Sequence, residues 1–245
     1  MNEGLRNTLT SPSEARFVPE LAPNPELLSS LGRLVRGLSA LFWGLPIALV
    51  VCVQTANGEW STQFGVFPPV IATGLLLYGL NLLGRFQKQE RIWILALDRA
   101  RIFALVNLGL SPFLFWWNQI QSQSFFNTMV WVMAASGLLF LLALNPVLGR
   151  LSAMLPDETL RLETKFFTRI NCYILSLDFA FLALYLSAPW LERIGLSFPI
   201  RLPAGFQPGV LGLGLLLVLI PVAMTMALLW KTKEVIVSSI FGPTE

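Results

Sequence analysis

"FFNTMVWVMAASGLLFLLALNPVL", residues 125–148, contains no Asp, Glu, Lys or Arg. About 20 consecutive apolar residues, rising 1.5 Å each, cross the roughly 30 Å hydrocarbon layer of a bilayer. This stretch alone reads as a transmembrane helix. Five further apolar runs flank it, at 38–55, 64–83, 102–117, 166–186 and 210–230. Composition agrees: 55% of residues are hydrophobic, 13% are charged and mean hydropathy is +0.66. A water-soluble domain carries about 25% charged residues, so this chain has too few to cover a wet surface. The expected fold is an all-α membrane protein, a bundle of six transmembrane helices.

The connections set the expected orientation. "ANGEWSTQ" (56–63) and "NQIQSQS" (118–124) are short and polar, whereas "ERIGLSFPIRLPAGFQPG" (192–209) is longer and carries Pro and Gly that stop a helix. Six spans put both termini and the remaining two connections on one side. All 17 basic residues except Arg193 and Arg201 then share that side. The bias of Lys and Arg toward the inner face predicts cytoplasmic termini in a plasma membrane. The net charge of +3 and pI near 9.1 are therefore membrane-topology features, and no nucleic-acid partner is expected. Arg85, Lys88, Arg91, Arg99, Arg101 and Arg169 are candidates for lipid headgroup or partner contacts.

A repeat suggests how the spans pair. "TGLLLYGLNLLGR" (73–85) and "SGLLFLLALNPVLGR" (136–150) share two leucines after Gly, a later Leu-Asn and a terminal Leu-Gly-Arg. "LLSSLGR" (27–33) ends the same way ahead of the first run. The pattern predicts three helical hairpins, 31–83, 84–148 and 149–230, within a membrane domain of 31–234. Flexible tails are expected at 1–30, which has no apolar core of a signal peptide, and at 235–245. Cytoplasmic amphipathic helices are expected in the linkers. "FQKQERIWILALDRAR" (86–101) sets Ile92, Trp93, Leu95 and Ala96 against Lys88, Arg91, Asp98 and Arg99. In "AMLPDETLRLETKFF" (153–167), Pro156 marks a helix start with Asp157 and Glu158 in its first turn. The tryptophans read as interfacial anchors.

Chemistry-bearing residues are sparse. The chain has no His, and its two cysteines, Cys52 and Cys172, lie inside apolar runs where thiols act as small hydrophobes. No catalytic motif appears, so no enzyme activity, cofactor or metal is expected. Asp178, in "ILSLDFAFLALYL" (174–186), is the exception. A carboxylate at mid-membrane costs about 2.5–3.5 kcal/mol on insertion scales, so it should face the bundle. Asn171, Asp178 and Tyr185 recur every seven residues and share a helix face. Asn107 is a candidate partner, with Thr73 and Tyr78. One interpretation makes Asp178 interhelical glue, the other a proton or cation site. The expected function is a non-catalytic subunit or assembly factor that packs on a membrane-protein partner or a second copy. A small permease or proton-coupled carrier using Asp178 is the alternative.

Overall fold

The computed structural model describes the backbone of residues 25–57, 63–86, 90–120, 122–155, 157–193 and 207–241, and side chains over 29–57, 63–86, 90–120, 122–155, 157–184, 186–187 and 217–238. These residues are helical almost throughout. The elements are α1 (Pro25–Asn57), α2 (Phe67–Leu83), α3 (Arg91–Leu110), α4 (Pro112–Gln119), α5 (Ser124–Met154), α6 (Glu158–Arg193) and α7 (Gln207–Phe241). Pro68 and Pro69 open α2, and Pro112 opens α4, where a missing N–H costs nothing. Pro46, Pro146 and Pro221 sit inside α1, α5 and α7. Such breaks persist in lipid because neighbouring groups satisfy the freed carbonyls.

The α1–α2 contact shows what holds the bundle. Leu34, Leu38, Leu41 and Leu45 recur at helical spacing and bury against Leu76, Leu80 and Leu83. Lipid tails are as apolar as leucine, so the gain here comes from close packing rather than from escaping water. Glycine permits that closeness. A Cβ on Gly37 would lie 2.3 Å from Leu83 Cδ1 and 3.0 Å from the Gly79 carbonyl oxygen. One on Gly44 would lie 2.9 Å from Leu76 Cδ2, which fixes an antiparallel register.

Three helices among the described residues are long and apolar enough to span a membrane: Ser29–Asn57, Ser124–Met154 and Glu158–Leu184. Six were expected, and the structure corrects that count for physical reasons. The second apolar run becomes a helix of 17 residues, Phe67–Leu83, about 26 Å long against a layer of roughly 30 Å. The third is broken at Ser111–Pro112. Its first part continues α3, which opens with charged residues, and its second part is the 8-residue α4. The sixth, 210–230, lies on α7, and its side chains before 217 are outside the described residues. The chain is an integral membrane protein of several helices, with three candidate spans.

Nor is a six-span arrangement of three hairpins shown. α5 runs uninterrupted through the expected boundary at 149. Contacts pass around a closed circuit, α1 on α2, α2 on α3, α3 on α5, α5 on α6, α6 on α7 and α7 on α1. The repeated sequences also land in unlike places. Asn81 is exposed whereas Asn145 is buried. Gly84 caps the end of α2 against a neighbour, whereas Gly32 and Gly149 lie inside helices and face open space. Leucine-rich helices resemble one another in sequence without sharing an environment.

Nor are there separate amphipathic surface helices among the described residues. With no Gly or Pro between Arg91 and Ile102 to stop it, α3 runs straight from the charged linker into the apolar run. Its inward residues are Trp93, Leu97, Ala100, Ala104 and Asn107, while Ile92 and Leu95 point out. Trp93 is fully buried, not an interfacial anchor. The linker before α6 behaves similarly. Asp157 is not in the first turn but one residue ahead of it, capping a helix that begins at Glu158 and continues to Arg193. Pro156 lies outside the described residues.

Candidate functional site

Past Arg169, α6 has its polarity inverted relative to a helix in water. Its buried residues are Leu160, Thr164, Asn171, Leu175 and Asp178, spaced by four, seven, four and three. That spacing is a single stripe. Outward it shows Leu162, Phe166, Tyr173, Leu177, Phe179, Phe181, Leu184 and Leu186, with Tyr173 71% exposed. In a bilayer this is the expected arrangement, because an unsatisfied polar group in hydrocarbon is costly. The interior stripe thus gathers the buried polar groups of α6, Thr164, Asn171 and Asp178.

Its centre is a three-helix node. Asn171 Nδ2 donates to Asn145 Oδ1 of α5 at 3.0 Å and to Thr225 Oγ1 of α7 at 3.1 Å. The Thr225 hydroxyl donates in turn to the Pro221 carbonyl at 2.7 Å. Asn145 Nδ2 makes a longer contact of 3.9 Å to Cys172 Sγ. Asn145, Asn171 and Thr225 are completely buried. All groups in the node are neutral, so it clamps helices without carrying charge.

Asp178 lies seven residues beyond Asn171 on the same stripe, about 10 Å along the axis. It is 6% exposed, and its Oδ2 is buried with no hydrogen-bond partner among the described residues. The expected partners do not reach it. Thr73 donates to its own helix at Pro69, and Tyr78 is exposed. Asn107 is buried, but α3 packs on α2, α4 and α5, whereas α6 packs on α5 and α7. Tyr185, expected on the Asp178 face, has its side chain outside the described residues. The structure therefore joins Asn171 to two residues that were not singled out, Asn145 and Thr225. Both were visible as uncharged polar side chains within apolar runs.

The basic candidates gather at one end of the bundle. The ion pair of Glu163 with Lys231 sets the start of α6 beside the end of α7. Phe42 and Trp230, with ring centres 5.4 Å apart, tie α7 to the middle of α1, and Gly37 meets Leu83 at the end of α2. Arg85, Arg91, Arg99 and Arg169 are exposed there, Lys88 lies outside the described residues, and Lys233 sits 5.2 Å from the Trp230 ring centre. Arg101 differs from the rest. Its guanidinium bonds Asp98 at 3.0 Å and the Leu80 carbonyl at 3.4 Å, in space that a Cβ on Gly84 would invade at 1.8 Å. A cation on the last carbonyls of α2 also suits the helix dipole.

Asp157 belongs to the same end. Its carboxylate accepts from the Thr159 hydroxyl at 2.6 Å and from the Thr159 and Leu160 amides at 2.9 and 3.2 Å. The Thr159 hydroxyl first, then the Leu160 amide, holds its pKa below the ordinary value of 3.8. Elsewhere, an open apolar depression of about 670 Å³ lies between α1 and α2, lined by Ile47, Val51, Phe67, Ile71 and Leu75. It is remote from the polar stripe. Among the described residues, no three Cys, Asp or Glu side chains gather as a metal site would require.

Comparison with protein-family models, with curated proteins and with solved structures finds no match.

Proposed function

We propose that this chain is a non-catalytic subunit or assembly factor of a membrane complex, with both termini cytoplasmic in a plasma membrane. The observation that supports it is the sealing of Asp178, which is 6% exposed, with the described depression lying elsewhere and apolar. A carrier needs a polar route to its coupling residue, and a scaffold needs none. The neutral Asn145–Asn171–Thr225 node suits the same role, since it locks three helices together without a group that could be loaded and released. The basic end supports the orientation. Extraction in a mild non-ionic detergent, with mass measured by light scattering, tests this role. A stable particle containing companion subunits in fixed ratio is expected. A lone chain at every detergent concentration overturns the proposal.

A second function is favoured by one specific feature, the unpartnered Asp178 Oδ2. In a small proton-coupled carrier, that oxygen is the coupling group. Proteoliposomes would then show a proton flux that Asp178→Asn abolishes with folding intact. An unchanged, background-level flux in both proteins excludes the carrier.

A further inference from the structure

Threonines in a membrane helix normally return their hydroxyl to their own backbone. Here Thr55 donates to Val51, Thr73 to Pro69, Thr128 to Ser124 and Thr225 to Pro221, and Thr159 bonds Asp157. The remaining described threonines, Thr164, Thr168 and Thr232, have buried hydroxyl oxygens with no partner. All three lie in one place. Thr164 and Thr168 precede Asn171 on the inward stripe of α6. Thr232 follows Thr225 by two turns on α7, and the Glu163–Lys231 ion pair puts it level with Thr164. Asn171 adds a fourth oxygen, because its amide nitrogen serves Asn145 and Thr225 while Oδ1 is left over. Thr164, Asn171 and Thr232 are at least 99% buried.

Four orphaned oxygens lie along one seam, and each unsatisfied polar group in the interior costs about 1–3 kcal/mol. We propose that the seam of α6 with α5 and α7 is a built water-binding pocket, lined by Thr164, Thr168, Thr232 and Asn171. Charge selects water over an ion. A cation would find no carboxylate among the four lining residues, and neighbouring Glu163 is already paired to Lys231. An anion would meet the Asn171 carbonyl oxygen. Water both donates to Asn171 Oδ1 and exchanges hydrogen bonds with hydroxyls, and a buried water typically makes about three such bonds. The pocket makes this seam wet, in contrast to the glycine and leucine contact of α1 with α2. It does not depend on whether the protein is a scaffold or a carrier.

Water-edited solid-state NMR on the full chain in lipid bilayers tests it, with threonine methyl signals assigned by single Thr→Val substitutions. Fast transfer from water is expected at Thr164, Thr168 and Thr232, comparable to exposed Thr128, with slow transfer at buried Thr73. Transfer at the three as slow as at Thr73 overturns the pocket, as does uniformly fast transfer that includes Thr73. Thermal melting gives a second readout. In a dry seam, Thr164→Val with Thr232→Val removes two orphaned hydroxyls and raises Tm, which overturns the proposal. In a hydrated seam the same pair gives no gain.

Discussion

Removing the Asn171 side chain should loosen α5, α6 and α7 together. Asn171→Ala deletes the donor to Asn145 Oδ1 and to Thr225 Oγ1, bonds of 3.0 and 3.1 Å within a fully buried node. Side-chain hydrogen bonds between membrane helices average about 0.6 kcal/mol and reach about 1.7. Two lost bonds, with Asn145 Oδ1 left without its donor, give an expected cost of about 1–3 kcal/mol. A double-mutant cycle with Asn145→Ala isolates the direct term, expected at about 0.6–1.7 kcal/mol. The assay is reversible unfolding in mixed micelles titrated with denaturing detergent, followed by tryptophan fluorescence. Asn81→Ala is the control: it sits at the matching position of the sequence repeat but is exposed, so its effect should stay within about 0.5 kcal/mol. A coupling energy below about 0.3 kcal/mol, or equal costs for Asn81 and Asn145, would refute the node.

Other outcomes follow from single contacts. Gly79→Ala brings a Cβ to 3.0 Å from Leu41 Cγ and 3.1 Å from the Gly37 carbonyl oxygen, so overpacking should cost about 1–3 kcal/mol in the same unfolding assay. Gly149→Ala, in open space within α5, should instead stabilise by up to about 1 kcal/mol. Gly84→Ala should displace the Arg101 guanidinium and reproduce the stability loss of Arg101→Gln, with little further loss in the double mutant. The lowered pKa of Asp157 means its cap is fully present above the ordinary carboxylate range. As pH falls through the lowered value the cap is lost, which hydrogen exchange at the Thr159 and Leu160 amides will register. Asp157→Asn, which still caps, should flatten that pH dependence.

The apolar runs, the inward stripe of Asn171 and Asp178 and the crowding of cations at one end were legible in the sequence, because hydropathy, helical periodicity and charge are local properties. The number of spans was not, for reasons that differ by segment. The Ser111–Pro112 break was written in the chain, since a proline ends the helix before it, but hydropathy smooths over it. Trp93 shares its spacing with Leu97, Ala100 and Ala104, which marks an inward face, yet its position near a charged linker suggested an interface. Asn145 could not be separated from Asn81 by the repeat. Their burial depends on which neighbouring helix each one meets, and α5 meets α6 at Asn145 whereas Asn81 faces away. Threonine satisfaction is similarly non-local. Nothing in the sequence distinguishes Thr225, which bonds its own helix, from Thr232, which does not.

Single cysteines at exposed Arg91, Arg161 and Glu234, in a background lacking Cys52 and Cys172, allow the sidedness of the chain to be measured directly in sealed membranes. A membrane-impermeant maleimide should label all three from one face only, the cytoplasmic one. Labelling of Arg91→Cys and Arg161→Cys from opposite faces would contradict a single basic end, and with it the placement of α3, α6 and α7 in the bilayer.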